Sequence, residues 1–140
     1  MEVMFERVAG LDVGKASVTV CVRTPSARRG RHSETRTFKT TTGSLRLMRD
    51  WLVECGVKVA AMESTSTYWK PPFYCLEEVM EVWLLNAAHM KAVPGRKTDV
   101  RDAEWIAQLL EHGLLTPSFV PPPAVRQLRL LTRYRFQLMG

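Results

Sequence analysis

The apolar residues change their period at Gly43-Ser44. Before that point they alternate, as in Ser17-Val18-Thr19-Val20-Cys21-Val22. After it Leu45, Met48, Trp51, Leu52 and Cys55 recur at the spacing of one helix face. A chain that begins with strands on short links and then alternates strand with helix has few ways to bury both patterns. Val8-Ala9-Gly10-Leu11-Asp12-Val13 is an apolar run interrupted near its end by a carboxylate, with a turn at Gly14-Lys15, so it predicts a buried strand in a hairpin with Ser17–Val22. The polar stretch from Thr24 to Glu34 reads as a link, and Thr35 to Thr41 as a third strand. Ser44 is the expected N-cap of the first helix and Gly56 its stop. Val57–Met62 predicts a fourth strand ending at Glu63. Pro71-Pro72 opens a helix through Phe73, Leu76 and Val79, and Val82–Leu85 is the fifth strand. Right-handed parallel crossovers follow. The expected class is α/β: a mixed five-stranded sheet of three antiparallel strands, then two parallel ones covered by helices.

Asn86 to Thr98 is irregular and basic, with His89, Lys91, Arg96 and Lys97. Helix resumes near Asp99, gains an apolar face from Ala103, Ile106, Ala107 and Leu110, and stops at Gly113. The expected domain covers residues 1–118, followed by a proline-rich linker over 119–123. Residues 124–140 then predict a helix with an apolar stripe of Val125, Leu128, Leu131 and Leu138, and with Arg126, Arg129, Arg133 and Arg135. That helix meets the end of the sequence without a cap, so the expectation is a longer protein cut inside it. Its stripe points to a homo-oligomer, a dimer through this helix.

Lys plus Arg number 20 against 14 acids, a net charge of +6, which favours a polyanionic partner. No apolar run approaches the ~18 residues of a membrane helix, and Met1–Arg7 lacks the features of a signal peptide. Cys21, Cys55 and Cys75 are far apart with no CxxC, which excludes a disulfide framework or cysteine zinc site and fits a reducing cytoplasm.

Four acids stand where acids are structurally awkward. Asp12 ends one strand and Glu63 another, while Asp99 and Asp102 share one face of a helix start. If the first and fourth strands are neighbours, Asp12 and Glu63 meet at one crevice, and the helix of Asp99 and Asp102 can cross it. Clustered carboxylates repel, and a divalent cation relieves them. Hard oxygen ligands favour Mg2+, with Mn2+ able to substitute, over zinc. Two such ions can activate a hydroxyl and stabilise the leaving oxygen of a phosphodiester. Each acid also has a plainer use: a strand-terminal Asp forms turns, Glu63 can pair with Lys70 or an Arg, and Asp99 and Asp102 suit a helix N-terminus that Thr98 can cap.

Gly10-Leu11-Asp12-Val13-Gly14-Lys15, Met62-Glu63-Ser64-Thr65 with Tyr68-Trp69-Lys70-Pro71, and Lys97-Thr98-Asp99-Val100-Arg101-Asp102-Ala103 occur in this order. Together they resemble the N-terminal domain of DEDD-type insertion-sequence transposases, relatives of the Piv-like DNA invertases. The resemblance runs from about Val8 to the last helix. It implies a RuvC-like, RNase H-type fold in which Asp12, Glu63, Asp99 and Asp102 are catalytic and bind magnesium. It implies DNA as substrate, a guide (bridge) RNA as partner, and a bacterial or archaeal, nucleoid-associated setting in the cytoplasm. It further implies that residues 124–140 begin a coiled coil leading to a second domain with a nucleophilic serine, absent from this sequence. Ser66-Thr67 departs from the small residues usual there in that family.

Lys15, Arg96, Lys97, Arg101, Arg126 and Arg129 are the candidate nucleic-acid contacts, with a solvated turn lysine the plainer account of Lys15. Arg28, Arg29 and Arg31 read as a solvated charge run. Tyr68 and Trp69 read as packing aromatics, His89 as structural, and Ser64 and Ser66 as helix caps. Two rival functions stay open: an actin-like phosphotransferase or ATPase fragment, because Gly10–Lys15 also resembles the first phosphate loop of that fold, and a non-catalytic nucleic-acid-binding module.

Overall fold

The computed structural model of the chain describes residues 3–26, 30–64, 67–85 and 102–115, with Ser64 and Asp102 described by their backbone alone. Strand β1 (Val8–Val13) lies in the middle of a five-stranded sheet. It pairs antiparallel with β2 (Ser17–Pro25) and parallel with β4 (Val59–Ser64). Beyond them lie β3 (Arg31–Lys39), antiparallel to β2, and β5 (Glu81–Leu85), parallel to β4, giving the order β3-β2-β1-β4-β5. A strand covered on both faces cannot alternate apolar with polar, which accounts for the unbroken apolar start of β1. Among the described residues no helix is long and apolar enough to cross a membrane.

Alternate residues of each strand feed two cores. Ala9, Leu11, Val13, Val18, Val20, Val22, Ala60 and Met62 pack under α1 (Thr42–Glu54) and α2 (Lys70–Leu76). Val8, Cys21, Val59, Ala61 and Leu85 pack under α3 (Asp102–Glu111) through Ala103, Ile106, Ala107 and Leu110. Trp69 fills the first core as expected, edge-on to Phe73 at 5.4 Å, whereas Tyr68 is exposed.

Helices α1 and α3 end alike. Gly56 and Gly113 take left-handed φ angles of 75° and 71°. The N–H groups of Gly56 and Val57 donate to the carbonyls of Val53 and Leu52, and those of Gly113 and Leu114 to Leu110 and Leu109. This is the Schellman arrangement that satisfies the last carbonyls of a helix. It corrects the expected start of the fourth strand: Val57 closes the helix, and β4 begins at Val59.

Three further boundaries differ from expectation. Thr41, not Ser44, caps α1, its hydroxyl accepting from the Ser44 N–H. Helix α2 stops at Leu76, short of Val79. Strand β3 starts at Arg31, because the polar stretch pairs with β2 from Pro25 onward. An edge strand need not look amphipathic, and charge along it discourages pairing with another chain. Arg36 lies over the Trp51 ring at 4.4 Å and ties this edge to α1. The linker over 119–123, the helix over 124–140, Arg28, Arg29, Ser66 and His89 lie outside the described residues.

Candidate metal and nucleic-acid site

The parallel pairing of β1 with β4 places Asp12 opposite Glu63. Their Cα atoms are thus one strand spacing apart, about 4.8 Å. Each falls on the face that α3 covers, because Val8 and Gly10 precede Asp12, and Val59 and Ala61 precede Glu63, at steps of two. Asp12 is exposed and Glu63 half-buried, so both stand beyond the helix rather than beneath it.

Helix α3 reaches this point because of Gly10. A Cβ there would lie 2.3 Å from the Ala103 carbonyl oxygen and 2.5 Å from the Ala107 nitrogen. The helix backbone therefore rests directly on the strand, a contact that only glycine permits. Its far end sits over the start of the sheet, where the Glu111 carbonyl accepts from the Met4 and Phe5 N–H groups at 2.7 and 3.1 Å. The helix thus runs back along β1, and its first residue, Asp102, starts at the end of the strand that carries Asp12. An isolated glycine within a strand was the legible signal for such an approach.

The backbone thus brings Asp12, Glu63 and the Asp102 position to one end of one sheet face. Asp99, Arg96, Lys97, Arg101, Arg126 and Arg129 lie outside the described residues. Among the described residues no group of three or more potential ligand side chains is assembled. The pair that is present consists of hard carboxylate oxygens, with the cysteines elsewhere: Cys21 is buried under α3, and Cys55 and Cys75 are half-buried by α1 and α2. That donor chemistry fits magnesium or manganese better than zinc.

Charge differs between the two ends of the sheet, with Glu104 of α3 adding a carboxylate at the end that carries Asp12 and Glu63. Exposed Lys15, Lys39 and Lys70 surround the end that carries Asp12 and Glu63. Glu6, Glu54, Glu78 and Glu81 lie at the other, with Arg7 and Lys58. Arg7 caps the C-terminal end of α1 there, donating to the Cys55 carbonyl at 2.8 Å.

Glu111 is a buried carboxylate that the sequence did not single out. It is 1% exposed and accepts from Arg23 Nε and Nη2 at 3.0 Å and from Arg31 Nε at 2.9 Å. His112 Nε2 lies 3.3 Å from Oε1. Burial alone would push this carboxyl up, but the hydrogen bond and charge of Arg23, with those of Arg31, outweigh it and hold the group below the usual carboxylate range. Arg31 is accordingly not a solvated loop charge. It locks the hairpin to α3 and also donates to the carbonyls of Glu6 and Arg23.

Comparison with known proteins bears on the whole chain. A family model described as transposase, of the DEDD and IS110 type, matches residues 9–140. RuvC of T. thermophilus, in complex with a Holliday junction substrate, superposes with a TM-score of 0.54 at 15% identity, over 81% of this chain and 99% of that one. A second Thermus thermophilus RuvC structure gives 0.48 at 17%, over 84% of each chain. Fowlpox virus resolvase, with Holliday junction DNA, gives 0.44 at 11%, over 66% and 65%. The fold is therefore RuvC-like, of the RNase H type. No curated protein sequence matches the chain.

Proposed function

Because this chain belongs to the DEDD transposase family of the IS110 type, we propose that it is a metal-dependent domain for DNA strand cleavage and exchange. Asp12, Glu63, Asp99 and Asp102 hold Mg2+ or Mn2+ in it. The observation that carries this reading is the register of Asp12 with Glu63, on the sheet face where α3 begins at Asp102. A bound divalent cation supplies Lewis acidity at the scissile phosphate and lowers the pKa of an attacking hydroxyl.

The chain's own residues do the rest. The sheet fixes the backbones of Asp12 and Glu63 on neighbouring strands, so only their side-chain rotamers remain to be set on binding. Gly10 seats α3 low enough to bring the start of that helix to the same edge. Lys15, with Lys39 and Lys70, draws the polyanionic backbone to this end of the sheet, and the acids of the opposite end repel it. Arg96, Lys97, Arg101, Arg126 and Arg129 add further phosphate contacts. The domain works with a serine-bearing second domain, is guided by a bridge RNA and dimerises through residues 124–140. The family resemblance and the apolar stripe after Ala124 support those assignments.

The test is Asp12→Asn. Titration with manganese, read by its electron paramagnetic resonance signal, should lose the bound ion while circular dichroism stays unchanged. Recombination by the full-length protein should be abolished. Wild-type manganese affinity in that variant overturns the proposal.

A further inference from the structure

The row containing Asp12 and Glu63 continues across the sheet. The antiparallel registers place Thr19 opposite Asp12 and Thr37 opposite Thr19, so Thr37, Thr19, Asp12 and Glu63 lie side by side on four strands. All four share the face of α3, since Cys21, two residues along β2, is buried under that helix while Phe38 packs on the other side. The helix covers the next row, Cys21, Gly10 and Ala61, and stops short of this one. Thr37 is exposed and Thr19 half-buried.

Three properties of this surface, which no described element covers, point to one kind of occupant. The first is charge. On the α3 side β3 carries Ser33, Thr35, Thr37 and Lys39, and β2 carries Ser17 and Thr19, while the hairpin's carboxylate, Glu34, lies on the opposite side. On β2 and β3 themselves an anion approaching from the β3 edge crosses hydroxyls and one lysine, and the described carboxylate nearest that path is Glu104 of α3, which is engaged by Gln108. The second is hydrogen-bond arithmetic. Thr19 and Thr37 hydroxyls are 3.3 Å apart, and either can donate to the other. The pair has two hydroxyl hydrogens and uses one between its members, so one remains for an outside acceptor. The third is length. Two strand spacings from Asp12 to Thr37 are about 10 Å, roughly three nucleotides at the 3.4 Å rise of one strand.

Resting on the function proposed above, we infer that the exposed face of β2 and β3 seats the backbone of one DNA strand beside the acids. Thr19 and Thr37 donate to phosphate oxygens, and Lys39 and Lys15 flank them as counter-charges. These are positioning residues: contacts to phosphate fix where the strand lies and carry no sequence information. Hydroxyls suit that place better than more lysines, because a cation close to Asp12 would compete with the metal ion for its carboxylate.

The experiment uses the 140-residue chain and a fluorescein-labelled single-stranded DNA, read by anisotropy in calcium, which occupies hard-oxygen sites. Thr19→Val with Thr37→Val keeps the branched shape that the sheet requires and removes both hydroxyls. Affinity should fall about fivefold. Lys39→Gln should reduce the slope of log affinity against log salt by about one. Manganese binding should be unchanged in all of these, whereas Asp12→Asn should lose it. DNA affinity at the wild-type level in the double-valine variant overturns the strand seat and leaves the metal site standing. Weaker DNA binding there with manganese retained in Asp12→Asn does the reverse. A double-valine effect on RNA of the same length but not on DNA overturns the assignment to DNA, as does a wild-type chain with no salt-dependent DNA binding.

Discussion

Gly10→Ala is the most direct probe of how the site is built. The added Cβ would stand 2.3 Å from the Ala103 oxygen and 2.5 Å from the Ala107 nitrogen, both backbone atoms of α3. No rotamer change relieves such a clash, so the helix must lift by about 1 Å to regain ordinary van der Waals contact. Lifting it loosens Ala103, Ile106, Ala107 and Leu110 from Val8, Cys21 and Ala61. Overpacking of this kind costs about 3 kcal/mol, while replacing a strand glycine returns about 0.5–1 kcal/mol of backbone entropy. The net loss is about 2–2.5 kcal/mol, or a fall in Tm of about 8 °C for a chain of this size. Calorimetry or urea unfolding with an unchanged m-value measures it. Manganese affinity should fall with stability, since the start of α3 moves away from Asp12 and Glu63. A Gly10→Ala variant that melts within about 1 °C of wild type would refute the direct seating of helix on strand.

Two further substitutions test other parts of the fold. Glu111→Gln leaves the half-buried Arg23 and Arg31 without a counter-charge and should cost about 3 kcal/mol in urea unfolding. Because the Glu111 carboxyl is held below its ordinary value of 4.5, its contribution is complete above that pH in the folded chain and is lost as pH falls through the lowered value. Wild type should therefore lose more stability than Glu111→Gln between pH 5 and about pH 3, and parallel pH profiles would contradict this. Gly43→Ala, in the first turn of α1 where an added Cβ meets nothing within 4 Å, should stabilise the chain by about 0.5–1 kcal/mol, visible as a raised urea midpoint.

The order of elements was legible because hydrophobic period depends on neighbours in sequence, and the switch at Gly43-Ser44 separates the two regimes. The adjacency of Asp12 and Glu63 was legible only as a condition, since strand order depends on which helices cross where. The strand character of Arg31–Glu34 was hidden for the opposite reason. Arg31 is held in the strand by its pairing with the buried Glu111, and no local pattern links residues so far apart. The choice of Thr41 over Ser44 as cap turned on where β3 ends, which composition does not define. Gly10 carried a signal that could have been used, because a lone glycine inside an apolar strand has a reason to be there. The Thr19–Thr37 row needed the register of two strand pairs before it had any meaning.

One sheet face is covered, among the described residues, by the helix that comes last in order. A nascent chain emerging from the ribosome completes all five strands by Leu85 yet keeps Val8, Cys21, Val59 and Ala61 open to water until Leu110 has been made. During synthesis the molecule therefore passes through a stage with one face finished and the other sticky. The proposed metal-binding pair, Asp12 and Glu63, is then already in register before residues 99–102 have been made.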